Sequence, residues 1–293
     1  MDHFCIIANH DKDEGHQTAR YILSFFEKNG KHCVIAHDRR REKTCPGISY
    51  TDLDEIPEQT ECIIVLGGDG TFIQAAIDVS HRGIPLLGVN MGTLGFLTEI
   101  EKQNLVPTLE RLMRDDCYIE ERLMLSGSSL PETGNPQAFS GEELALNDIV
   151  VTKSGACRMI TALLSINGEL VETYVGDGVI ISTPTGSTGY NLSAGGPVMT
   201  PGLKAVIITP ICPHSLNKRS LVVSAEDVIA ITLGQGKAYQ KDAAEVIFDG
   251  RAIGTMQTGD SIRIGCSGEK TRIVKMKESS FFGILRNKLK VSE

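Results

Sequence analysis

The sequence has no tryptophan, and its aromatic residues amount to only 5%. An excess of positive charge is also missing: 29 Lys and Arg face 37 Asp and Glu, a net charge of −8. A general nucleic-acid binder needs a basic face, so that class is excluded. No uninterrupted apolar run approaches the roughly 18 residues of a membrane-crossing helix. Met1 to Asn9 lacks the basic stretch and small-residue cleavage site of a signal peptide, so a cytoplasmic location is expected. None of the eight cysteines forms a Cys-x-x-Cys pair, which removes zinc-ribbon and thioredoxin chemistry. Their neighbours are mostly apolar, as in Cys62-Ile63-Ile64-Val65, and they read as reduced buried thiols. The seven histidines show no paired metal spacing.

Glycine, in contrast, is abundant, with 30 residues. A length of 293 residues suggests two domains at about 150 residues each. The first third alternates strands and helices. Phe4 to Asn9, Cys33 to Ala36, Cys62 to Leu66 and Pro85 to Val89 are apolar runs. Gln17 to Asn29 carries a helical stripe stopped by Gly30, and a second helix is expected over Phe72 to Val79. This alternation implies a parallel sheet with helices on its faces. After about residue 120 the runs become short and β-rich, without long helices. Residues 126–141 read as an exposed hairpin or loop, and residues 38–60 as a loop-rich crossover. The expected class is α+β: an α/β domain with a parallel sheet over residues 1–120, and an all-β, sandwich-like domain over 121–269. The tail from Ser267 holds seven basic and three acidic residues. Its last part, 270–293, is expected to pack back on the acidic body.

Two stretches carry chemistry. Leu66-Gly67-Gly68-Asp69-Gly70-Thr71 lies between a strand and a helix. Small residues let backbone approach an anion there, and the helix start directs N–H groups at it. It is neither a Walker A loop nor a dinucleotide GxGxxG. Asp69 would repel phosphate unless it holds a metal ion or receives a proton, uses that point to phosphoryl transfer; the plainer reading is a helix cap. The second stretch runs from Asp177 to Pro197, an apolar strand entering a Ser-, Thr- and Gly-rich segment suited to a sugar-phosphate. Tyr190 is an isolated aromatic that could stack on a base. Asn147 and Asp148 head another β run and would face opposite sides of it. The turn Gly92 to Thr98 also follows a strand end, where ligands of open α/β sheets lie.

Together these features resemble the NAD kinase family. The resemblance is carried, in order, by Gly67-Gly68-Asp69-Gly70-Thr71, Leu94-Gly95-Phe96-Leu97, Asn147-Asp148, Asp177 to Tyr190 with Leu192 to Pro197, Thr209 to Ser215, and Phe248-Asp249-Gly250. It implies transfer of the γ-phosphoryl of ATP, with a divalent metal (Mg or Mn), to the 2′-hydroxyl of the adenosine ribose of NAD. It further implies a cleft site between two domains and a homo-oligomer, dimer or tetramer. By motif, Asp69 would be catalytic, with Gly67, Gly68, Gly70 and Thr71 around it. Asn147 and Asp148 would hold the ribose. Thr185, Thr188, Gly189, Tyr190, Asn191, Leu192 and Ser193, with Phe96, would line the adenine end. Asp177 would bind the nicotinamide side, and Arg158 and Arg251 would contact dinucleotide or phosphate. The chain departs from the family's usual pattern at Asp148 (usually Glu), Gly189 (usually Ala) and Arg251 (often Gln). A lipid kinase sharing the glycine–aspartate turn, and a non-catalytic dinucleotide sensor, are the competing readings. The first would want a membrane-facing patch, which the sequence does not offer; the second has no need of a carboxylate at the turn.

Overall fold

In a computed structural model, residues 1–36, 51–92, 94–131, 135, 138–155, 159–215, 219–235, 243–277 and 280–289 are described. The chain divides into two compact units, Met1–Arg122 with Glu269–Glu293, and Leu123–Gly268. Strands and helices are numbered in chain order.

The first unit is built on parallel strands in the order β2-β1-β3-β4. They are β1 (His3–Ala8), β2 (His32–Ala36), β3 (Cys62–Gly67) and β4 (Leu86–Asn90). Every residue of β3 and β4 is buried, as expected where helices cover both faces of a parallel sheet. The end of β16 (Ser261–Lys275) joins the sheet beside β4, with Ile273 opposite Leu86 in parallel. Helix α1 (Gln17–Lys28) buries Ala19, Ile22 and Phe26, a spacing that makes one apolar stripe. Phe26 stacks on Phe4 of β1, with ring centroids 4.0 Å apart. Asp13 accepts the free N–H groups of Thr18 and Ala19 at 2.9 Å each and so fixes the start of α1. Helix α3 (Leu105–Met113) packs Leu105, Leu109 and Leu112 into the same core. Helix α5 (Phe281–Leu289) closes the described part of this unit.

Helix α2 (Asp69–Asp78) begins earlier than its apolar spacing suggests, because Asp69, Gly70 and Thr71 form its first turn. Gly68 is its N-cap, with extended backbone (φ −117°, ψ −174°). The glycine–aspartate motif is therefore the helix start itself, since small residues are compatible with helical dihedrals once Phe72 and Ala75 anchor the next turn in the core. Of the expected crossover at 38–60, residues 38–50 lie outside the described residues.

Among the described residues the second unit is all-β apart from a 3-10 turn (Gly186–Thr188) and the short helix α4 (Tyr190–Ser193). Strands β7 (Asp148–Lys153), β10 (Gly178–Ser182), β11 (Ala205–Ile211), β12 (Leu221–Ser224), β14 (Ala243–Phe248) and β15 (Arg251–Gln257) form an antiparallel sheet, ordered β12-β11-β10-β7-β14-β15. A second layer includes β8 (Ile160–Ile166), β9 (Glu169–Gly176), β13 (Ile229–Leu233) and the start of β16. Ile149, Val151, Val179, Ile181 and Val246 of one layer meet Leu164, Ile229, Ile231 and Ile262 of the other. Alternation turns Val150 and Ile180 to the opposite face, where they pack with Ile211 and Ala194. Burial on both faces holds β7 and β10 rigid, and the second chemical stretch starts at the end of β10.

Of the exposed hairpin or loop expected at 126–141, the antiparallel pairing is present, between residues 125–128 and 142–145, and the exposure of its first part is corrected. Strand β5 (Tyr118–Leu130) runs to Leu130 and buries Ser126. Ser-Gly-Ser-Ser has turn composition, yet a Cβ at Gly127 would lie 2.7 Å from the Phe248 ring, so packing rather than a turn explains the glycine. Strands β5 and β16 are also long, at 13 and 15 residues. No described helix is long and apolar enough to cross a membrane.

Candidate active site

The ends of β1, β3 and β4 bring three turns together in the first unit. Asn9, just past β1, bonds its backbone N–H to the Leu66 carbonyl and its side-chain amide to Thr71 Oγ1 at 3.0 Å. Gly67 lies against Thr71 so closely that a Cβ would sit 2.5 Å from Oγ1. The Asp69 carboxylate does not cap α2. It reaches across to the turn after β4, where Oδ2 accepts from Phe96 N–H at 2.8 Å. Its Oδ1 accepts from Leu97 N–H at 3.1 Å, Thr98 N–H at 3.0 Å and Thr98 Oγ1 at 3.0 Å. Gly95 is dictated by this arrangement, because a Cβ there would collide with Oδ1.

A carboxylate offers about four acceptor positions. Among the described residues Oδ1 takes three donors and Oδ2 only one. Oδ1 is therefore the anchoring oxygen, and Oδ2 keeps room for a hydroxyl. Sequence reasoning found Asp69 and Phe96 but missed Thr98, whose hydroxyl also accepts from the Asn90 amide at 3.2 Å. It also missed Lys12. A Cβ at Gly68 would stand 2.7 Å from Lys12 Nζ, so this ammonium lies over the glycine turn. No carboxylate partner for Nζ occurs among the described residues. Gly70 has open space around it. No group of three His, Cys, Asp or Glu able to hold a metal ion occurs among the described residues.

In the second unit, Asn147 and Asp148 are positioned by a residue to which sequence reasoning gave no role. Asp249 takes Leu146 N–H at 2.6 Å, Asn147 N–H at 2.8 Å and Asp148 N–H at 2.9 Å on its carboxylate. The signal was present in Asp249-Gly250, a turn pair, and both residues have positive φ (46° and 80°). Asn147 precedes β7 rather than lying in it, so strand alternation does not govern its direction as expected. Its Oδ1 is buried and has no partner among the described residues. Burial, then the nearby Asp249 charge, pushes the Asp148 carboxyl up to about 7. Burial raises Asp249 too, opposed by its three N–H donors and by Arg251. The three N–H donors favour the charged form of Asp249, while Asp148, which lacks them, is raised by burial and by that neighbouring carboxyl. Arg251 donates to the Leu144 carbonyl at 3.3 Å, while its Nε is buried and unpartnered.

The segment after β10 is rigid. Thr183 Oγ1 donates to the Leu146 carbonyl at 2.7 Å and accepts Gly186 N–H at 3.0 Å. Ser187 Oγ donates to the Pro184 carbonyl at 2.7 Å and accepts Met199 N–H at 3.0 Å. Asn191 is fully buried: its amide donates to the Ser187 and Pro197 carbonyls, and its oxygen accepts from Thr209 Oγ1 at 2.7 Å. Its polar atoms thus hold the segment itself together. Thr185 is buried as well, whereas Thr188, Gly189 and Leu192 are half-buried and Tyr190 and Ser193 are exposed. Asp177 pairs with Lys153, Nζ to Oδ1 at 2.7 Å, a partner that sequence reasoning missed. Arg158 lies outside the described residues.

Comparison with known proteins returns one family. The ATP-NAD kinase N-terminal domain matches residues 4–117, and the ATP-NAD kinase C-terminal domain matches residues 146–276. The NAD kinase of Lachnoclostridium phytofermentans is 46% identical over 289 residues, covering 98% of this chain and 99% of that protein. The NAD kinase of Lachnospira eligens is 42% identical over 298 residues, covering 99% of this chain and 100% of that protein. Among solved structures, an NAD kinase from Archaeoglobus fulgidus in complex with ATP aligns with a TM-score of 0.73 at 26% identity, over 98% of both chains. Yeast NADH kinase complexed with NADH shares the fold, with a TM-score of 0.80 at 23% identity, over 100% of this chain and 89% of the other.

Proposed function

This chain belongs to the ATP-NAD kinase family, a family of phosphotransferases, and on that premise we propose that it phosphorylates the 2′-hydroxyl of the adenosine ribose of NAD to give NADP. The observation that carries the reading is the uneven loading of the Asp69 carboxylate, anchored through Oδ1 with Oδ2 left to take one more donor. The ribose hydroxyl donates to Oδ2. Its oxygen attacks the γ-phosphorus of ATP, the bond to the β,γ-bridging oxygen breaks, ADP leaves, and the hydroxyl proton passes to Oδ2. A free aspartate has a pKa near 4 and is a weak base for an alcohol. Its main service is to orient the nucleophile and to accept the proton late in a loose transition state.

The cation enters with the substrate, as MgATP or MnATP. Magnesium is commonly held by substrate phosphates with one or two carboxylates. Lys12 and the N–H groups at the start of α2 neutralise the triphosphate. Asn147 offers its unpartnered Oδ1, and Asp148 its shared proton, to ribose hydroxyls. Thr188, Gly189, Tyr190, Leu192 and Ser193 line the base, and Asp177 with Lys153 meets the nicotinamide end. Thr185 and Asn191 support that lining from within. Six described cysteines are unpaired, which supports a reducing, cytoplasmic setting. Strand β9 exposes Leu170, Val171 and Val175 at a sheet edge, which supports assembly with further copies.

The test is direct. Purified protein is incubated with MgATP and either NAD or diacylglycerol, and products are separated. NADP is expected; phosphatidic acid, or no phosphorylated product at all, would overturn the proposal in favour of a lipid kinase or a sensor.

A further inference from the structure

The C-terminal segment stood out in the sequence for its basic charge, and the reaction described above gives it no task. Helix α5 lies against the turn that anchors Asp69. The Phe281 ring meets the Phe96 ring at a centroid distance of 6.2 Å, and Lys288 Nζ stands 4.9 Å from the Phe96 centroid. Phe96 is the residue whose N–H donates to Asp69 Oδ2 at 2.8 Å. That is the only donor on this oxygen among the described residues, so it decides which of the oxygen's two lone-pair positions is left for the acceptor hydroxyl.

An open groove of about 470 Å³ lies among Leu94, Ile100, Thr108, Met276 and Ile284, between α3, the Phe96 turn and α5. Phe281 is only half-buried and Lys288 is exposed. Neither side chain is a core residue, so their placement over Phe96 adds little burial. An ammonium over an aromatic face is attracted to the ring's negative quadrupole, and the tilted ring pair restrains the same side chain from another direction.

We propose that Phe281 and Lys288 are positioning residues for phosphoryl transfer: they hold the Phe96 ring and thereby aim the Phe96 N–H, and with it Asp69 Oδ2, at the acceptor hydroxyl. The inference rests on the function proposed above. Small displacements of a reacting group are costly, by up to about 100-fold for roughly 1 Å.

The experiment compares wild type with Phe281→Ala/Lys288→Ala, with the conservative pair Phe281→Tyr/Lys288→Arg, and with Arg286→Ala as a charge control on an exposed part of α5. NADP formation is followed under saturating MgATP and NAD, beside a thermal melt. The double alanine variant is expected to lose about 10- to 100-fold in kcat. Its KM for MgATP should stay within about twofold of wild type, a change worth only about 0.4 kcal/mol. The conservative pair, which keeps a ring and a stacking cation, restores kcat, and Arg286→Ala matches wild type. The proposal is overturned if the double variant melts like wild type and keeps its kcat. It is also overturned if the lost turnover tracks a lowered Tm and the conservative pair does not restore it. A wild-type protein that makes no NADP removes the parent reading and this one with it, which is a distinct outcome.

Discussion

Replacing Asp69 by Asn removes one charge and converts one carboxylate oxygen into an NH2 group. Oδ1 faces three donors and Oδ2 one, so the amide oxygen takes the Oδ1 place and the NH2 group takes the Oδ2 place. There it confronts the Phe96 N–H, formerly 2.8 Å from an acceptor. One charge-assisted hydrogen bond is lost and one donor is left without a partner, about 1.5–3 kcal/mol. At about 2–4 °C per kcal/mol for a chain of this order, Tm falls by about 3–12 °C. The variant still folds, because the three bonds at the anchoring oxygen survive. The effect on turnover is larger: the only atom free to receive the ribose proton has become a donor, and kcat should fall by about 10²–10⁴. Thr98→Val is the matched control. It removes one hydroxyl donor from Oδ1 and an acceptor from the buried Asn90 amide, leaves Oδ2 untouched, and should cost about 1–3 kcal/mol of stability. Less than about tenfold of kcat should be lost with it, the equivalent of under about 1.4 kcal/mol of barrier. Steady-state NADP formation and thermal melts of both variants give the comparison. Equal losses of turnover in the two, or wild-type kcat in Asp69→Asn, would refute the argument and reduce Asp69 to a latch for the Phe96 turn.

Lys12→Ala should raise the KM for MgATP by about tenfold, as expected for one charge-assisted contact, and leave that for NAD unchanged; Lys12→Arg should recover part of the loss. An effect on NAD alone would contradict the placement of its ammonium over the glycine turn. Stability should fall as pH rises, on account of Asp148. The folded carboxyl titrates at about 7 against a usual 3.8, so between these values the folded state holds a proton that the unfolded state has released. The loss develops through that window and levels off above it. Asp148→Asn removes it, so the Tm of this variant should gain on wild type from pH 5 to pH 8; a constant difference would count against the shifted titration. Asp249→Ala leaves the N–H groups of residues 146, 147 and 148 without their acceptor, at about 1–3 kcal/mol for each buried group. A marked fall in Tm is expected, and an unchanged melt would show that water replaces the carboxylate freely. Excess EDTA should stop NADP formation, with recovery on adding magnesium; undiminished activity in chelator would separate the reaction from any cation.

Much of this protein was legible in its sequence for a simple reason. Apolar period and glycine placement are local, and they mark where strands end and helices start. The β3 run from Cys62 and the stripe of α1 follow from side-chain alternation and spacing alone, and the glycine–aspartate motif announces a turn at a strand end. Local pattern is blind to contacts across many residues. The 29-residue reach from Asp69 to Thr98 is one such contact, and it decides which carboxylate oxygen is free. The 101-residue reach from Asp249 to Asp148 is another, and it brings two buried carboxyls together while one of them takes the backbone donors. Gly127 was misread for the same cause: its composition says turn, and only the Phe248 ring pressed against it explains the missing side chain. The sequence by itself determined the parallel strands of the first unit, the stripe of α1 and the glycine–aspartate turn that carries Asp69. Tertiary structure alone decided how that carboxylate is loaded, because hydrogen-bond partners and burial are properties of neighbours in space.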